Sequence, residues 1–203
     1  MNNKSSITAL MSSFGRAFHA ENEEHPVFED HLAKKLMTAE EYAAVQGYIL
    51  DGAQFFEPEI DPAKQEPTEL LRRIVNVHIA PSPLCRAAYT EQALKTAALT
   101  GTKQYVILGA GMDTFVFDYP DENFFNASEK RVQNTIMMAK AGGEPMQSAF
   151  GCNELEKLLE KHGFLIYEML TPDDIQMDII DKAGVDMKAF EHVNYCLAVR
   201  KDN

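Results

Sequence analysis

The segment Val106-Ile107-Leu108-Gly109-Ala110-Gly111-Met112-Asp113-Thr114 restricts the fold of this chain more than any other. Tyr105 to Leu108 is a short, continuous apolar run, the pattern of a strand buried on both faces of a parallel sheet. A G-x-G directly after such a strand lets the backbone turn sharply and come close to a nucleotide-like ligand. Thr114 stands where the dinucleotide fingerprint has its third glycine. That disfavours a pyrophosphate seated on a helix N-terminus and fits a cofactor without phosphates. Taken alone, the glycine turn could equally serve only to reverse the chain.

The residues ahead of this strand are helical. Ile7, Leu10, Met11, Phe14, Ala17 and Phe18 fall on one helical face. A second helix is predicted over His31 to Met37, with Leu32 and Leu36 one turn apart, and a third from Thr38, where Thr38 and Glu41 make a capping-box pattern. Residues 57–68 carry three prolines and no period, and read as a surface loop and hinge. Helix is expected again from Glu69 to Val77 and from Pro83 to Leu99, closed by Gly101. The last third alternates: a helix with Leu155, Leu158 and Leu159 closed by Gly163, a strand over Phe164 to Met169, a capped helix start at Thr171-Pro172-Asp173-Asp174, and a strand over Val193 to Val199. The whole reads as one structural unit, with a helical cap and lead-in over 1–100 and a sheet-bearing core over 101–203.

Several classes of function are excluded. A net charge of −12 argues against nucleic acid as the main partner. No apolar stretch reaches the ~20 residues of a membrane span, and Met1 to Ser6 lacks a signal-peptide pattern. Cys85, Cys152 and Cys196 are odd in number and far apart, so they read as unpaired thiols of a cytoplasmic protein, core residues rather than nucleophiles. The six histidines lack metal-ligand spacing; His19 and His25 could line an active site under the cap, but read as polar surface residues. No metal site is expected.

Four blocks, in order, resemble the leucine carboxyl methyltransferase-like family of class I methyltransferases: SITALMSSFGRAFHAENEEHPVFEDHLAKKL, APSPLCRAAYTEQAL, LGAGMDTF and AGGEPMQSAFGCNELEKLLEKHGFLIYEMLTPDDI. The resemblance implies an α/β fold, a Rossmann-like methyltransferase sheet under a helical N-terminal cap. It implies S-adenosyl-L-methionine as cofactor and an oxygen of a small molecule, a carboxylate among the candidates, as methyl acceptor. Arg86 matches the family arginine that pairs with the methionine carboxylate of the cofactor; a guanidinium suits that bidentate role, and its small, apolar neighbours Leu84, Cys85, Ala87 and Ala88 set it apart from a solvated helix residue. Gly109 and Gly111 would lie against the cofactor. Asp113 either contacts its ammonium group or caps the next helix. The resemblance implies no dedicated catalytic base, because the acceptor is held in line with the methyl group.

One departure matters. After GMDTF the chain passes through VFDYPDENFF, which resembles a late strand of the family, straight into the closing helix and strands. About three β–α units, on the order of 90 residues at ~30 each, have no counterpart. Asp118, Asp121 and Glu122 read as loop acids, none placed to hold a ribose. The protein either carries a deletion or is represented here without a stretch that the full protein has. A continuous chain of this kind would expose strand edges and favour homo-oligomers. Its alternative function is a catalytically degenerate, methyltransferase-like binding or oligomerising protein.

Overall fold

The structure, a computed structural model, describes residues 6–101 and 117–200. Helix α1 (Ile7–Asn22) starts where the Ser6 hydroxyl accepts from the Ala9 amide, and its apolar face buries Phe14, Ala17 and Phe18. Helix α2 (Ala39–Asp51) begins at the predicted capping box: the Thr38 hydroxyl accepts from the Glu41 amide, and the Glu41 carboxylate accepts from the Thr38 amide. A short turn, α3 (Ala53–Phe56), follows, then α4 (Pro67–Ile74), a π turn (Val75–Ile79) and the long α5 (Pro81–Leu99). Gly101 past the end of α5 has φ +94°, a conformation open to glycine at little cost.

One expectation about the cap needs correction. Over His31 to Met37 there is a single 3-10 turn, Ala33–Leu36, with Leu32 and Leu36 both exposed. The Asp30 carboxylate accepts from the amides of Leu32 and Ala33, and this local bonding competes with a full helix. The lead-in helices form two pieces, as expected: α4 continues through the π turn to Ile79, and Ala80 separates it from α5.

Beyond residue 116 come β1 (Phe117–Pro120), α6 (Lys130–Ala141), α7 (Cys152–Lys161) and β2 (Phe164–Leu170). Gly163, at φ +81°, makes the turn between α7 and β2. Helical turns α8 (Pro172–Ile175) and α9 (Asp181–Ala183) flank a second π turn and lead to β3 (Val193–Arg200). The described strands form a three-stranded sheet in the order β1-β3-β2, antiparallel at both pairings. The mixed α/β character is as expected. The expected parallel strand at 105–108 lies outside the described residues, and so do Gly109, Gly111 and Asp113.

Alternation along β3 decides what the sheet faces. Tyr195 and Leu197 join the large core shared with the cap helices, whereas Cys196 and Ala198 join a smaller cluster with Tyr119 and Leu155. Asp118 sits opposite Tyr195 in the register and therefore faces α5. It is a strand residue aimed at a helix, not the loop acid expected. The large core draws on Phe14, Ile49 and Leu84 as well as Phe124, Val132 and Ile180, so the cap packs directly on the elements after residue 117.

Candidate active site

A cavity of about 480 Å³ lies where the start of α1, the start of α5, β1 and α6 meet. That volume falls in the range of small-molecule sites. Most of its wall is apolar: Ile7 and Met11 from α1, Ile79 and Pro83 around the start of α5, Met138 from α6, then Phe124, Phe190 and Val193. Polar groups enter it at a few points, among them Ser12, His78, Ser82, Arg86, Asp118 and Glu144.

Ser82 and Arg86 are four residues apart on α5 and so share a helical face. Both meet Asp118. The Arg86 Nη1 donates to Asp118 Oδ1 at 2.5 Å, and the Ser82 hydroxyl donates to Asp118 Oδ2 at 2.9 Å. The hydroxyl of the buried Tyr195 donates to the Ser82 carbonyl at 2.7 Å and ties β3 to the first turn of α5. This builds a guanidinium and a carboxylate side by side in the wall of a mostly apolar cavity. An amino-acid zwitterion matches such a pair, carboxylate to Arg86 and ammonium to Asp118.

At the rim, the hydroxyls of Ser6 and Thr8 donate to Glu144 Oε2 at 2.8 and 2.5 Å and latch the start of α1 to the segment after α6. Those two bonds, Thr8 first, hold the Glu144 carboxyl below its ordinary range. On the inner side, His78 Nε2 lies 3.3 Å from Glu57 Oε1. Burial of the imidazole lowers its pKa, opposed by Glu57 and assisted by Arg131 and Arg73.

His19 corrects another expectation. It is fully buried rather than on the surface, with Nδ1 3.2 Å from Asn76 Oδ1 and Nε2 accepting from the Val27 amide at 3.1 Å. Asn76 in turn donates to Glu23, which also takes two bonds from Arg72. Both ring nitrogens are satisfied, so His19 joins α1 to the π turn and is structural. Of the cysteines, Cys85 and Cys196 are buried and their thiols are pushed up to about 12 and about 11 by desolvation, while Cys152 is exposed rather than in the core. Neither buried thiol has the lowered pKa of a nucleophile.

Of the residues expected at the site, the structure places Arg86 in the cavity wall, and the other three lie outside the described residues. The partners that sequence reasoning passed over are Asp118, Ser12, His78 and Glu144. Only the i, i+4 spacing of Ser82 and Arg86 signals a shared partner; which acid fills that role depends on strand register. Among the described residues no group of three or more His, Cys, Asp or Glu side chains is placed to hold a metal. No described helix is long and apolar enough to cross a membrane.

Residues 9–130 match the family model of leucine carboxyl methyltransferase. The chain is also 28% identical to the Bacillus subtilis (strain 168) protein named "Putative S-adenosyl-L-methionine-dependent methyltransferase YktD", over 98% of this chain and 99% of that one. That alignment runs over 301 positions against the 203 residues of this chain, so about a third of the positions have no residue here. The shortfall is close in size to the stretch the sequence was expected to lack, on the order of 90 residues. No solved structure gives a significant match.

Proposed function

Since the chain belongs to the leucine carboxyl methyltransferase family and is thus a methyltransferase that uses S-adenosyl-L-methionine, we propose that it methylates an oxygen of a small-molecule acceptor bound under α1. The observation that carries this reading is the apolar cavity with Arg86 and Asp118 in its wall. The cofactor, when bound, supplies an electrophilic methyl group on a sulfonium sulfur. The residues present fit its methionine end, with Arg86 taking the carboxylate and Asp118 or Asp113 the ammonium. Gly109 and Gly111 would approach its ribose side.

The remaining work of the chain is positional. The apolar wall strips water from the acceptor, and α1, held by Ser6 and Thr8 on Glu144, covers it. Holding the acceptor oxygen in line with the methyl group is itself a large part of the catalysis. Titration calorimetry of the full chain with S-adenosylhomocysteine tests the cofactor site, and transfer of a labelled methyl group to a panel of small hydroxyl and carboxylate compounds tests the reaction.

A second reading is favoured by the aligned positions that have no residue here. It makes the chain a methyltransferase-like protein that binds or self-associates without turnover. Sedimentation showing oligomers, together with absent S-adenosylhomocysteine binding, would select it.

A further inference from the structure

One stretch of the cavity wall is made by two pieces of chain far apart in sequence. The start of α1 gives Ile7, Thr8 and Met11, and the segment after α6 gives Gly142, Glu144 and Met146. That second segment is fixed at its two ends. The amides of Gly143 and Glu144 donate to the carbonyls of Lys140 and Ala139 at 3.2 and 3.0 Å, closing α6, and the Phe150 amide donates to the Pro120 carbonyl at 2.9 Å, at the end of β1. Gly143 turns the chain at φ +80°, backbone that glycine adopts freely. Every residue from Pro145 to Ser148 is exposed. A short strap anchored at both ends and facing solvent between them is the kind of segment that opens locally at low cost.

The strap is clipped to α1 through one side chain. The hydroxyls of Ser6 and Thr8 donate to the same oxygen, Glu144 Oε2. Gly142 lets the two pieces close up, since a Cβ there would lie 2.8 Å from Ile7 Cγ2. Glu144 and Met146 line the cavity and are also exposed, so the cavity wall and the molecular surface coincide here. Water can replace either partner of an exposed hydrogen bond, which makes this clip the easiest part of the wall to open.

Resting on the methyltransferase reading above, we propose that the strap over 142–148 is the gate through which an apolar methyl acceptor enters the cavity, and that the Glu144 clip sets how fast it opens. The acceptor passes between the start of α1 and the strap while the clip is broken. Once re-formed, the clip holds α1 over the acceptor and keeps water from the transferring methyl group. Because the clip forms with the cavity empty or filled, it slows entry and exit alike and leaves affinity nearly constant. A side chain that touched the ligand would act mainly on escape.

The test follows entry of the neutral fluorescent probe N-phenyl-1-naphthylamine into the full chain by stopped flow. The cavity phase is the one that Ala139→Trp, which fills the cavity from α6, abolishes. Glu144→Ala should raise the association and dissociation rates of that phase together by about three- to tenfold, the scale of two exposed charge-assisted contacts, while their ratio changes by less than about twofold. The double variant Ser6→Ala/Thr8→Ala should do the same, and adding it to Glu144→Ala should do nothing more, because both remove one clip. Glu144→Gln keeps an acceptor oxygen without the charge and should fall between. Unchanged rates in Glu144→Ala, a change in dissociation alone, additive effects of the two variants, or no cavity phase at all overturns the gate. Calorimetry with S-adenosylhomocysteine tests the underlying reading separately: failure to bind removes the methyltransferase reading, while the probe rates alone decide the gate.

Discussion

Replacing Arg131 with methionine tests the junction beneath the cavity, because one guanidinium there serves both halves of the chain. Arg131 is 8% exposed. Its Nη1 donates to the Val77 carbonyl at 2.7 Å and the Lys188 carbonyl at 3.1 Å, its Nη2 to the Ala189 carbonyl, and its Nε to Glu191 at 2.8 Å. The guanidinium also sits 4.7 Å from the centre of the Phe190 ring. Methionine keeps the length of the stem but leaves these carbonyls and Glu191 without their donor. At about 1.5–3 kcal/mol for each charge-assisted bond the naive sum is large, but the contacts share one group and Glu191 is partly exposed and can rehydrate. The scale set by breaking one buried ion pair, about 3–5 kcal/mol, is the better guide. For a chain of this size that lowers Tm by roughly 6–20 °C. Urea unfolding followed by circular dichroism, with calorimetry for Tm, reads the change. Arg131→Lys should recover little, since an ammonium cannot reproduce the planar fork. A loss below about 1 kcal/mol at unchanged m value would refute the idea that this arginine joins α6 to the π turn and to the segment before β3.

Arg86→Ala should weaken S-adenosylhomocysteine binding by about 1.5–3 kcal/mol, the scale of a charge-assisted contact, with little loss of stability because Asp118 keeps its bond from Ser82; equal calorimetric affinity would remove Arg86 from the cofactor site. The pKa of His19 is lowered by burial, so the unfolded chain binds its proton more readily than the folded one. Its contribution is whole above 6.5 and is lost as pH falls below that value; Glu23, held down chiefly by Arg72, adds a second loss below its ordinary value of 4.5. Stability measured from pH 8 to 3 should therefore fall in these two windows, and His19→Gln should flatten the upper one; a slope unchanged by that variant would contradict the assignment. Thr38→Ala should cost about 1 kcal/mol by removing the capping box of α2, read by urea unfolding, and a neutral result would mean that Glu41 and the core alone hold the helix start.

What the sequence by itself determined is local in origin. The apolar face of α1, the Thr38–Glu41 cap, the α7–Gly163–β2 turn and the Thr171–Asp174 cap all depend on contacts within about four residues, and each appears where the residue pattern puts it. The family, too, was legible, because four blocks in order are a property of the chain before it folds. Tertiary structure decided the rest. Whether His19 lies on the surface or inside depends on Asn76, 57 residues away, and on the amide of Val27. Asp118 became the partner of Arg86 because the β1–β3 register sets it opposite Tyr195, on the face toward α5. The latch of Ser6 and Thr8 on Glu144 spans more than 130 residues. Periodicity reports only which face of an element is apolar. Which polar side chain meets which across a cavity depends on how those faces pack, and no spacing within one element carries that information.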